Sequence, residues 1–150
     1  MTFSFKLLVI CISTIGFSVV YHLRPKYIFY STAASVIAAA SFLLLDLLDL
    51  GIFFPNFVAT VFTVLFIEII SRVVKIPSSI IQIPGILPLV PGRALYYTMS
   101  AVLNENFTDA FENALILVKT ALAIAIGITV TSVCFRFVVS ALGKIPHQKH

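Results

Sequence analysis

Apolar residues run along this chain in five long stretches separated by short polar joints: about Phe3–Tyr21, Tyr27–Leu48, Phe53–Val74, Ile76–Leu103 and Asn113–Leu142. A membrane-spanning helix needs roughly 20 mainly apolar residues. The pattern therefore predicts an all-α integral membrane protein, one domain over residues 1–150 with about five transmembrane helices. The fourth stretch cannot be one continuous helix, because Pro84–Gly92 holds three prolines and two glycines. Proline has no N–H to donate and clashes with the carbonyl four residues earlier. Its first half, about 76–83, opens on Pro77-Ser78-Ser79, a favourable helix start, and a second helix is expected from just after Pro91-Gly92 to Leu103. The break at Pro88–Gly92 then falls near the middle of the stretch. In lipid, backbone freed from helix bonding needs a partner, so such breaks occur where protein or a polar cavity surrounds them, and transporters place substrate sites there. The fifth stretch is long enough to tilt or to project beyond the membrane.

Composition agrees with this class. Of the 150 residues 60% are hydrophobic and 11% charged, and the mean hydropathy is +1.10. No polar stretch is long enough for a further soluble domain. The net charge of +4 would suggest nucleic acid in a soluble protein, but the basic residues lie mostly in joints and tail. Arg24 and Lys26 follow the first helix, Arg72 and Lys75 close the third, and Arg136, Lys144 and Lys149 end the chain. Asp46 and Asp49 close the second, and Glu105, Asp109 and Glu112 follow the fourth. Basic segments stay cytoplasmic, so five crossings with the N-terminus outside and the C-terminus inside fit every joint, with Lys6 pulling weakly the other way. A re-entrant fourth segment would export the basic C-terminal cluster, so a crossing, broken helix is favoured. The first run, though signal-like, is followed by Arg24-Pro25-Lys26 rather than an A-x-A-like cleavage site and reads as a retained span.

The candidate chemistry gathers at the break. Arg93 follows Pro91-Gly92 directly. A guanidinium within a bilayer calls for an anion, either Glu68, a partner's carboxylate or the solute; alternatively it snorkels to an interface. The unpaired N–H groups of a helix beginning at Arg93 and Ala94 add the positive end of its dipole, directed toward the bilayer centre, a setting suited to a carboxylate. Tyr96 and Tyr97 either add hydroxyls to this site or anchor an interface. Glu68 lies well within the third span, four residues before Arg72. It is either half of an interfacial ion pair or a carboxylate facing a polar cavity, and is the proton-coupling candidate. Asp46 and Asp49 read as a solvated outer turn beside Gly51 and Pro55, with a proton relay as the alternative.

The small residues of the second helix, from Ser31 to Ser41, and those of the fifth, Ala121, Ala125 and Thr129 beside Ala123, Gly127 and Thr131, predict close helix packing, the alternative being that some of their hydroxyls line a solute path. The polar run Asn104–Glu112 reads as an outer loop or interfacial turn. Cys11 and Cys134 pack as small hydrophobes. His22, His147 and His150 are too scattered for a metal site, so no metal and no cofactor is expected. No catalytic triad, phosphate loop or nucleotide fold is present in the pattern, which argues against an enzyme.

The run Ile86-Leu87-Pro88-Leu89-Val90-Pro91-Gly92, then Tyr96 or Tyr97 and Met99, resembles the P-x-x-P-G…Y signature of the threonine/serine exporter family. Gly16-Phe17 before the basic Tyr21–Tyr27 turn, and Glu68…Arg72 before Pro77, are similar as well. The closer resemblance is to the small subunit of the split, two-component form. It implies a bacterial inner-membrane exporter of small hydrophilic metabolites, threonine and serine or a dicarboxylate such as succinate, driven by the proton gradient. It also implies a larger membrane subunit as partner and leaves a higher oligomer open. It places Pro88, Pro91, Gly92 and Tyr96 or Tyr97 on the solute path. Arg93 departs from the family pattern, where a small residue is expected, and could favour anionic solutes or pair with the partner. The other readings are a non-transporting scaffold that stabilises a larger membrane protein, and a channel.

Overall fold

The computed structural model describes residues 3–48 and 51–141. Asp49 and the C-terminal Lys144, His147, Lys149 and His150 lie outside the described residues, as does the side chain of Lys6. The described chain is helical: α1 (Phe3–Val20), α2 (Pro25–Asp46), α3 (Phe53–Val74), α4 (Ser78–Ile86), a 3-10 turn (Leu87–Leu89), α5 (Gly92–Leu103) and α6 (Phe107–Ala141). Of these, α2, α3 and α6 are long and apolar enough to cross a membrane, whereas Leu7–Val20 and Ser78–Leu89 are apolar but shorter.

Local chemistry sets the boundaries. Pro25 begins α2 after an extended Arg24, where its missing N–H and fixed φ cost nothing. Lys75 ends α3 in the left-handed conformation, at φ 57°, and its N–H bonds back to the Ser71 carbonyl, a common helix stop. Pro77 then precedes α4. The fourth stretch breaks where proline demands: the 3-10 turn contains Pro88, Val90 is extended, and Pro91 caps α5. One boundary differs from expectation. Only Asn104–Asn106 forms a turn, and Phe107–Glu112 is already helix rather than loop. The Asn106 side chain explains this, donating to Asp109 Oδ2 at 2.7 Å and accepting the Asp109 N–H at 3.3 Å, a reciprocal N-terminal cap.

Residue pairing gives the direction of each helix. Thr60 on α3 lies against Gly127 on α6, and Arg72 stands over the Phe135 ring at 4.9 Å, so α3 and α6 run parallel. Ile81 packs with Ile67, while Ile86 and Leu89 pack with Val64 and Ala59, so α4 runs back along α3. The Asn104–Asn106 turn makes α5 antiparallel to α6, against which it packs. It follows that α5 continues in the direction of α4, and the two do not form a hairpin. Gly127 is level with Thr60, and α6 begins 20 residues before the one and α3 seven before the other. At 1.5 Å per residue, α6 overhangs the start of α3 by roughly 20 Å, and α5 packs on this overhang.

Small side chains allow the close packing. Ala34, Ala38 and Ala39 of α2, Ala59 of α3 and Ala123 of α6 are buried, and the Ser18 and Ser31 hydroxyls share a 3.0 Å hydrogen bond between α1 and α2. On α6 only half of the expected small face is used: Ala123, Gly127 and Thr131 are buried, whereas Ala121, Ala125 and Thr129 are exposed.

Candidate functional site

The break opens onto a cavity of about 560 Å³ bounded by Pro88–Ala94, Tyr97, Asn56 of α3, and Asn113 and Thr120 of α6. Prolines at 88 and 91 turn the backbone out of α4, and α5 then leaves toward the α6 overhang. The space is what remains between that departing helix and the start of α3. Gly92 lines this space, and a Cβ there would meet nothing within 4 Å.

The polar groups of this cavity come from three helices. The Arg93 side chain is exposed and stacks over the Tyr97 ring at 5.4 Å. The Gly92 N–H donates to the Val90 carbonyl at 2.8 Å and the Leu95 N–H to the Pro91 carbonyl at 3.1 Å. The Arg93 and Ala94 N–H groups are thus the ones left at the start of α5, where the helix dipole favours an anion. Asn56 and Asn113 donate their amide N–H to the carbonyls of Ile52 and Asp109, at 2.7 and 2.8 Å. Each keeps its amide oxygen as an acceptor. The Thr120 hydroxyl donates to the Ile116 carbonyl at 2.9 Å. A guanidinium and free N–H groups on one wall, with amide oxygens on the others, can take a small zwitterion or acid by its carboxylate and its donor end separately.

Pro88, Pro91, Gly92, Arg93 and Tyr97 all line this space, and Tyr96 does not. Tyr96 is 68% exposed on the outer side of α5, with its ring 5.6 Å edge-on from that of Tyr97. The depth also differs from expectation. Leu89 packs on Ala38 and Ala59, and Ala59 is only six residues into the 22-residue α3. The break therefore lies roughly 9 Å from the start of a helix about 33 Å long, not at its middle. The reason is the length of the first half: nine α-helical residues and a 3-10 turn carry the chain about two-thirds of the way back along α3.

Glu68 is elsewhere. It is 6% exposed on α3, and twelve residues separate it from Asn56, roughly 18 Å along the helix axis. Arg72 does not serve as its ion-pair partner but lies over Phe135. Asn56, Asn113 and Thr120 were missed from the sequence. Asn56 had a legible trace, an amide inside an otherwise apolar run, but the other two become neighbours of the break only through the α5–α6 turn.

The profile of the family described as "Threonine/Serine exporter, ThrE" matches residues 6–134, which take in both half-helices and the break. The threonine/serine exporter of Corynebacterium glutamicum is 37% identical over 60 residues, covering 40% of this chain and 12% of that protein. No solved structure matches. With the family profile running through most of its length, the chain belongs to the threonine/serine exporter family.

Proposed function

We propose that this protein is the small membrane subunit of a two-component exporter of small hydrophilic metabolites, threonine and serine or a dicarboxylate such as succinate. The observation that carries the reading is the Arg93-lined cavity at the Pro88–Gly92 break, inside the span matched by the exporter family. In this reading the chain crosses a bacterial inner membrane five times, with α4 and α5 together making the fourth crossing and the C-terminus cytoplasmic. The solute carboxylate is held by the Arg93 guanidinium and the Arg93 and Ala94 N–H groups. An ammonium or hydroxyl of the solute meets the amide oxygens of Asn56 and Asn113. Export is driven by the proton gradient, and Glu68 is the coupling carboxylate. Because it stands roughly 18 Å from the cavity along α3, it acts through helix packing and not by touching the solute. The larger partner covers the exposed side of the site, where Tyr96 and Met99 face outward.

The test is efflux of labelled threonine, serine and succinate from preloaded cells expressing this chain, the larger membrane partner, or both. Efflux only with both subunits is expected. Efflux with the partner alone would make this chain a scaffold and remove the rationale for the Arg93 site.

A further inference from the structure

Toward the C-terminal end of α3, roughly 18 Å along the helix from the cavity, further polar groups are buried. Threonines in these helices follow one habit: each hydroxyl donates to the carbonyl one turn back. Thr60 and Thr63 on α3 do so at 2.7 Å, and Thr120 and Thr129 on α6 at 2.9 and 2.8 Å. Ser71 on α3 and Thr131 on α6 break it. Each is 4% exposed, and each hydroxyl is buried without a hydrogen-bond partner. Glu68 on α3 is the one charged residue buried among the described residues, and chain position and helix register bring both hydroxyls to its neighbourhood. Ser71 is one turn after Glu68 on the same helix. The α3–α6 register, set by Thr60 against Gly127 and Arg72 over Phe135, carries Thr131 across from the Val64–Glu68 turn.

A buried carboxylate must be neutralised or paired. The charged and titratable groups around Glu68 are Arg72 and Lys75 on α3 and its cap, Tyr30 on α2, and Cys134 and Arg136 on α6; α4 carries none. Arg72 is committed to Phe135, and Lys75, Cys134 and Arg136 are exposed. What remains is one negative oxygen pair and two hydroxyl oxygens with free lone pairs, without imidazole or thiolate. That set suits a hard cation and not a transition metal. One carboxylate balances one charge, so a monovalent ion leaves no excess charge buried.

We propose that Glu68, Ser71 and Thr131 form a site for a small monovalent cation, of which sodium is the probe, at the α3–α6 interface. Use of the cation as a coupling ion would rest on the exporter reading, but binding is measured without transport, so the two fail separately.

The full chain in lipid nanodiscs is heated at fixed pH while sodium chloride replaces choline chloride at constant ionic strength. A saturable rise in midpoint is expected, roughly 4 °C at ten times the dissociation constant. Glu68→Gln abolishes it, and Ser71→Ala and Thr131→Val each weaken sodium binding by about tenfold or more. Should Glu68→Gln fail to fold, the two hydroxyl variants decide. No sodium-dependent rise overturns the proposal. A rise unchanged in the Ser71 and Thr131 variants, or persisting in Glu68→Gln, overturns it too by placing the ion elsewhere.

Discussion

The close approach of α3 and α6 makes Gly127 a sharp test of how this fold is held. A Cβ at position 127 would stand 2.9 Å from the Thr60 Cβ, 3.0 Å from its Cγ2 and 3.3 Å from the Phe57 carbonyl oxygen. None of these is the tip of a flexible side chain: two are rigid β-branched positions and the third is backbone. Gly127→Ala can be accommodated only by moving the helices apart, and overpacking of this kind costs about 1–3 kcal/mol. Against it stands the helix-propensity gain of alanine, about 1 kcal/mol in water. The net expectation is a loss of up to about 2 kcal/mol, rising further for Gly127→Val. Gly16 on α1 is the matched control, since a Cβ there meets nothing within 4 Å, and Gly16→Ala should be neutral or slightly stabilising. Unfolding by sodium dodecyl sulfate in mixed micelles, followed by helical circular dichroism, measures both. Gly127→Ala more stable than wild type, with Gly16→Ala unchanged, would refute the α3–α6 register and with it the inference that Thr131 lies across from the Val64–Glu68 turn.

The remaining predictions concern the cavity. Arg93→Ala removes a charged hydrogen-bond donor to the solute carboxylate, worth about 1.5–3 kcal/mol, so half-saturating solute concentration for efflux should rise roughly 10- to 100-fold while assembly is retained; normal export of every solute tested would end that role. Pro88→Ala with Pro91→Ala should let helix grow through Val90 and lower flux without lowering membrane abundance. Unchanged flux would mean the break is structural only. Gly92→Leu should fill the cavity and block export with stability intact, because that position is open; wild-type efflux from this variant would place the solute path elsewhere.

How much of this was legible in the sequence follows from the range of each force. Hydropathy and proline act locally, so the helical stretches, the break at Pro88–Gly92 and the start at Ser78 could be read from the chain alone, as could the family that the Pro-Gly run resembles. The cap that starts α6 at Phe107 was equally local, in Asn106 and Asp109, but a polar, phenylalanine-containing run hid it. Depth and neighbourhood were not legible. Where the break sits along α3 depends on Leu89 seating on Ala38 and Ala59, and which tyrosine faces the cavity depends on the rotation of α5 against α6. The spacing of Glu68 and Arg72 invites an ion pair, yet packing turned Arg72 onto Phe135 instead. These outcomes rest on contacts between residues far apart in sequence. Within one helix the pattern tells which groups share a face, but only the tertiary packing decides what that face meets.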